Sequence, residues 1–236
     1  AALALQHDGH QVRVLEQAPE LRAGGFGLNI WSNATTLLAG LGFEVPGEPF
    51  EQMDLRAGNR VRTVRRFQAK GAPHVDVDRA VLLRALADRL PAGTIELSTR
   101  GGTLAELVAD GADLVVAADG SHSELRLDFP RRPERTGGWR GWQAVVADVP
   151  AELPLHQAAV VVDRKRFVGV WRLPGNSLEW FYENPRTDRR LSAPELLEQL
   201  RADPDDLVRG LATAPSMAAW TAWEANDRWP NWRFVG

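Results

Sequence analysis

The sequence predicts an α/β fold in which a parallel sheet with helices precedes an antiparallel sheet. Three observations carry this. Ala1 to Glu16 reads as a helix feeding a strand that closes on a carboxylate. Leu114 to Ala118 is a short apolar run that stops at Asp119-Gly120. Beyond Gly138, short runs rich in Val, Trp and Phe are separated by tight turns. Helix and strand in alternation imply crossovers and parallel strands, whereas short turns between strands imply antiparallel neighbours.

Composition bounds the rest. The chain has 236 residues, 44% hydrophobic and 25% charged, enough for a core in one large or two modest domains. Net charge is −3 with no polybasic block, so nucleic acid and an anionic membrane are not expected partners. There is no cysteine, which removes disulfides, thiol nucleophiles and thiolate metal sites, and fits a cytoplasmic location. No apolar run approaches the ~20 residues of a membrane span. The five histidines lack metal-binding spacing, so no metal site is expected. Gly-x-Ser-x-Gly is absent, and no carboxylate pairing points to glycosidase chemistry.

In chain order, Ala1 to His7 reads as helix, Asp8-Gly9 ends it, and Gln11 to Glu16 reads as strand. A strand-end acid after a helix is the second half of a dinucleotide-binding βαβ unit, where it accepts a ribose hydroxyl. The glycine fingerprint belongs roughly 20 positions earlier. Glu16 is only the sixteenth residue, so the expectation is a fragment cut inside the first helix. Asn33 reads as a helix N-cap, with Leu37, Leu38 and Leu41 following and Gly42 ending the helix. Glu51 to Arg66 alternates around Ala57-Gly58-Asn59 and predicts a hairpin. Asp78 to Leu90 predicts a helix with Asp78 as its cap and Arg79 first inside it. A cation there opposes the helix dipole, a placement tolerated on a surface and useful for holding an anion.

Thr94 to Ser98 reads as strand, and Leu104 to Val108 is a lone apolar piece. Leu114 to Ala118 predicts a strand buried on both faces. Asp119, Gly120, Ser121 and Ser123 then sit at a strand's carboxyl end, where α/β sheets gather ligands. A plain strand-to-helix turn capped by Asp119 explains the same residues. Pro130 to Gly138 reads as a crossover. Trp142 to Ala147, Ala158 to Val162, Phe167 to Leu173 and Ser177 to Tyr182 predict an antiparallel meander. Leu178, Trp180 and Tyr182 share one face; Glu179, Phe181 and Glu183 share the other. Trp171, Trp180 and Phe181 read as core more readily than as cavity lining. Ser192 to Leu200 predicts a helix with a capping box, and Asp205 to Leu211 a short one.

The run Ala118-Asp119-Gly120-Ser121-His122-Ser123-Glu124-Leu125-Arg126 resembles the Asp-Gly motif of FAD-dependent aromatic hydroxylases of the para-hydroxybenzoate hydroxylase type, the group A flavoprotein monooxygenases. Two further stretches resemble the same family. One carries Glu16, Arg22, Gly25, Gly27, Asn33 and Ala34; the other is Arg79, Leu82 and Leu86 as Arg-x-x-Leu-x-x-x-Leu.

The resemblance implies that Glu16 holds the FAD ribose, that Arg22 and the Gly24 to Gly27 backbone pass near the cofactor, that Arg79 reaches FAD, and that Asp119 lies by the flavin. It makes the parallel part a Rossmann-like FAD-binding sheet. Residues 1–136 form that domain, with 50–77 as a hairpin excursion; 137–228 form an antiparallel substrate domain, and 229–236 a return strand. It further implies a monooxygenase using FAD, NAD(P)H and O2 on an aromatic or similar small molecule, with a homodimer as candidate assembly. No catalytic side chain is named, because the flavin carries the chemistry. A nicotinamide-dependent Rossmann oxidoreductase and a remnant that binds no cofactor are the rival readings. With the phosphate-binding and ribityl-binding motifs off the chain, weak or absent FAD binding is expected of these 236 residues.

Overall fold

Alternation of apolar side chains decides the largest sheet. In the computed structural model the described residues are 1–21, 26–67, 71–120, 123–125, 139–147, 149, 155, 157–162, 166–185, 191–212 and 221–224. The chain divides into two units, residues 1–22, 87–137 and 226–236, and residues 23–86 and 138–225. Residues 23–86 thus group with the second half, whereas the sequence reading placed only the 50–77 hairpin near it.

In the first unit, α1 (Ala2–His7) leads to β1 (Val14–Leu15), which pairs in parallel with β7 (Ile95–Glu96). Gln6 donates from its side chain to Thr94 Oγ1 at 3.1 Å and ties helix to strand. α4 (Leu104–Ala109) starts at a complete capping box, Thr103 with Glu106. The lone apolar piece is therefore a helix.

Leu114 to Ala118 departs from expectation. It forms no strand, and Leu114 and Val116 are exposed. A strand must share its backbone hydrogen bonds with a neighbour. Among the described residues, β1 and β7 pair only with each other.

In the second unit, β2 (Gly27–Ile30) is followed by α2 (Ser32–Gly40), β3 (Glu48–Pro49), β4 (Gln52–Ala57), β5 (Arg60–Arg66) and β6 (Val75–Asp78). α3 (Arg79–Ala87) follows β6 directly. Asp78 caps it as expected, accepting from Ala80 N at 2.7 Å. Asn33 does not cap α2; Trp31 holds that position. The reason is tertiary: Ser32 N donates to His74 Nδ1 at 3.0 Å, which satisfies an orphan helix donor from outside.

The second half supplies β8 (Trp139–Val146), β9 (Ala158–Val162), β10 (Phe167–Leu173), β11 (Ser177–Pro185), α5 (Ala193–Arg201), α6 (Asp206–Leu211) and β12 (Thr221–Glu224). β9, β10 and β11 form a meander as their short turns require, but β8, expected to begin it beside β9, pairs with β11 instead, because the link from β8 to β9 is no tight turn. The full sheet runs β12-β8-β11-β10-β9-β4-β5, antiparallel except where β4 joins β9 in parallel.

Leu178, Trp180 and Tyr182 enter one core with Val161, Val168 and Val170, under Leu196 and Leu200 of α5 and Leu207, Val208 and Leu211 of α6. Burying a side chain of this size contributes about 1.5–3 kcal/mol. On the opposite face Ala158, Val160 and Trp171 pack with Met53, Leu55, Phe167 and Phe181. A small antiparallel sheet, β2-β6-β3, packs on that face through β10.

Candidate cofactor-binding site

The first unit positions two of the expected residues. Glu16 ends β1, where its N–H donates to Glu96 O at 2.9 Å and its carbonyl accepts from Thr99 N at 2.9 Å. Its side chain turns back and accepts from Ala18 N at 2.8 Å. That bond fixes the carboxylate just past the end of β1.

Asp119 lies at an exposed turn and accepts from Glu124 N at 2.9 Å. Partial burial works to raise its pKa, but hydrogen bonds from Ser123 and the backbone N–H of Glu124 and Leu125 outweigh it and hold the carboxyl below its usual value. Gly120 has φ +87°, which a side chain would resist. Ser121, His122 and Arg126 of the motif, and Arg22 and Gly25 upstream, lie outside the described residues.

The second unit brings Gly27 and Arg79 together. Gly27 pairs with Asp78 across β2 and β6. The next residue, Arg79, donates its N–H to Phe26 O at 3.1 Å and presents its side chain on the exposed start of α3. Gly27 has a further reason to lack a side chain. A Cβ there would collide with Glu179 Oε2 and Leu173 Cδ2.

That collision marks a pair of carboxyls that sequence reasoning missed. Asp76 is 2% exposed and Glu179 is 5% exposed. Asn29 donates to Asp76, and Gln143 donates to Glu179. Burial pushes the Asp76 carboxyl up to about 7, against the Asn29 bond. Burial also pushes Glu179 up to about 7, opposed by Gln143 and reinforced by the charges of Asp76 and Asp78.

The alternation placed Glu179 on the correct face, opposite Leu178, Trp180 and Tyr182, but said nothing of what covers it. A second sheet covers it, and nothing local in the β11 sequence announces the cover. The Val-Asp-Val-Asp pattern of β6 was equally ambiguous, since three of its four residues are buried.

Beside Glu179 the same face carries three stacked rings. Phe181 lies 5.2 Å from Phe167 and 5.0 Å from Trp171, at interplanar angles of 29° and 27°. Phe181 sits directly across the ladder from Gly169, which leaves room for the flat ring. Trp180 points the other way, into the helix-covered core, as expected of a structural residue.

Among the described residues, no group of His, Asp or Glu is arranged to hold a metal ion, and no helix is long and apolar enough to cross a membrane.

No protein-family model matches the chain. Individual relatives do. A FAD-dependent urate hydroxylase of Klebsiella pneumoniae is 28% identical over 211 residues, covering 78% of this chain and 54% of that protein. The 3-amino-4-hydroxybenzoate 2-monooxygenase of Streptomyces cremeus is 31% identical over 160 residues, 58% of this chain and 41% of that protein. The chain therefore spans about half the length of the curated relatives it matches.

Among solved structures, Klebsiella pneumoniae HpxO complexed with FAD and uric acid matches with a TM-score of 0.77 at 22% identity, over 96% of this chain and 64% of that one. The tetrameric form of 2-methyl-3-hydroxypyridine-5-carboxylic acid oxygenase matches with a TM-score of 0.73 at 21% identity, over 95% and 66%. In sequence the chain is similar to FAD-dependent aromatic hydroxylases, and its fold is that of the FAD complex with uric acid.

Proposed function

We propose that this chain is part of an FAD-dependent monooxygenase that uses NAD(P)H and O2 to hydroxylate an aromatic or similar small organic substrate. The observation that carries the reading is the strand-to-helix corner at Asp78-Arg79, with Gly27 paired beside it, in a chain whose fold matches an FAD and uric acid complex over 96% of its length.

The donors on each unit, taken by themselves, suit parts of a dinucleotide. Glu16 offers a fixed acceptor for ribose hydroxyls, and Asp119 a carboxylate held in its charged form by the N–H groups around it. Arg79 offers a cation for phosphate at a helix start. The bound flavin supplies the redox chemistry; these residues bind and orient it.

Residues 1–136 supply the cofactor contacts in this reading and residues 137–228 the substrate contacts. The three-ring stack of Phe167, Phe181 and Trp171 gives the second group a planar apolar surface suited to an aromatic ring. A Rossmann-like sheet completed outside these residues, nicotinamide as the reductant and a homo-oligomeric assembly belong to the same proposal.

The experiment is a flavin titration of the full-length protein. We expect bound FAD and substrate-dependent NAD(P)H oxidation. Arg79→Ala should weaken FAD by roughly 10- to 100-fold, the worth of a charge-assisted hydrogen bond. A full-length protein that takes up no flavin would overturn the reading.

A further inference from the structure

Two buried acids lie on two different sheets, near where Gly27 packs against the seven-stranded sheet. Glu179 belongs to β11 and Asp76 to β6. Asp76 pairs directly with Asn29 of β2, and Gly27 of the same strand presses against the Glu179 carboxyl. β6 then runs straight into Arg79. The two carboxyls therefore sit where β2 and β6 rest on the larger sheet.

We propose that Asp76 and Glu179 act as a protonation-controlled clasp: neutral carboxyls let the β2–β6 pair seat on the seven-stranded sheet, and their ionisation loosens that seat and with it the grip of Gly27 and Arg79 on the flavin. The last step rests on the function proposed above; the clasp itself does not.

The surroundings favour this reading. From β8 the group facing Glu179 is the uncharged Gln143, and from β6 the charged groups acting on it are Asp76 and Asp78. From β10 come Leu173 and the cross-strand neighbour Trp171, and from β2 the bare backbone of Gly27. Asp76 faces Asn29 from β2 and has Glu48 opposite on β3. His74, two residues before Asp76, is engaged by Ser32 N. Farther along β11, burial also raises Glu183.

The charges acting on Glu179, those of Asp76 and Asp78, are thus negative, and its ionisation adds to repulsion in a medium that screens poorly. Burial pushes each acid up to about 7, so both ionise near neutral pH. The sign follows. The clasp is closed below about 7 and opens as pH rises through that value.

The test uses the full-length protein, wild type against Asp76→Asn/Glu179→Gln, between pH 6 and pH 8.5. The first readout is amide hydrogen exchange at residues 27–30 and 75–78, corrected for the intrinsic pH dependence. The second is the FAD dissociation constant over the same range. We expect wild-type protection and FAD affinity each to fall by about tenfold or more, one pK unit's worth, while the double variant stays within about threefold.

Equal slopes in wild type and double variant, or a flat wild type, overturn the clasp. Should the double variant fail to fold, Glu179→Gln by itself must show at least half of the flattening, and an unchanged slope in it overturns the clasp equally. A protein that binds no FAD at any pH removes the functional reading, while the exchange slopes still decide the clasp.

Discussion

Arg56 is an arginine with almost no solvent. Its side chain is 5% exposed, and it donates from Nε to both oxygens of Asp205 at 3.1 and 3.0 Å and from Nη2 to Asp206. Asp205 is fully buried and also caps α6, accepting from Leu207 N at 2.9 Å. Removing Asp205 leaves buried Arg56 only the partly exposed Asp206 as counter-charge and its Nε without an acceptor, which costs more than the pair contributes. Asp205→Asn keeps the capping oxygen and removes the charge. It should destabilise by about 3–5 kcal/mol in urea unfolding. A loss below ~1 kcal/mol would show that water reaches Arg56.

The buried carboxyls carry the opposite sign. Their folded pKa is raised, so between about pH 4 and pH 7 the native state keeps protons that the unfolded chain releases. Stability therefore falls as pH rises through that window and levels above it. Glu179→Gln removes one such group. It should match wild type near pH 4 and be more stable by roughly 3 kcal/mol at pH 8.5, a shift of ~2.5 units at 1.36 kcal/mol each. Equal unfolding midpoints at both pH values would refute this.

At the scale of elements, legibility followed from whether the signal was local. The β9 to β11 meander was readable because alternation and turn residues agreed along each strand, and its register put Leu178, Trp180 and Tyr182 into one core. The capping box at Ser192 was readable for the same reason. The one at Thr103 was equally present in the sequence, but Leu104 to Val108 is short and interrupted by Glu106, so it read only as a lone apolar piece. Leu114 to Ala118 was misread because a strand's existence depends on neighbours that its own residues do not specify.

Packing across strands was invisible too. Gly169 is the clearest case: a Cβ there would run into the Trp171 and Phe181 rings. Gly169→Ala should cost about 1–3 kcal/mol, as overpacking does, and lower the near-ultraviolet circular dichroism of the stacked rings. Thr103→Ala should cost only ~1 kcal/mol, the loss of a cap, and leave that signal unchanged. A neutral Gly169→Ala would show that the stack can slide.

The whole molecule is uneven in what it buries. The second unit contains a seven-stranded sheet with α5 and α6 on one face and the Phe167, Phe181 and Trp171 stack on the other. Among the described residues of the first unit, the buried apolar side chains are Ala18 and Leu125, and the ladder is one two-residue parallel pair. The expected cofactor-binding residues divide the same way. Glu16 and Asp119 stand on the lightly packed unit, Gly27 and Arg79 on the other. Local opening energies track buried apolar contact, so the two units should differ in protection. Without ligand, amides at 168–171 and 178–182 should exchange at least ~100-fold more slowly than those at 14–16 and 95–96 after intrinsic correction. Anything that binds the folded first unit and not its open form raises its protection by mass action. Saturating FAD should therefore slow exchange at 14–16 and around Asp119 more than in the β10 and β11 core, in the full-length protein. Uniform protection before ligand, or a flavin effect confined to the core, would place the cofactor's grip elsewhere than at Glu16 and Asp119.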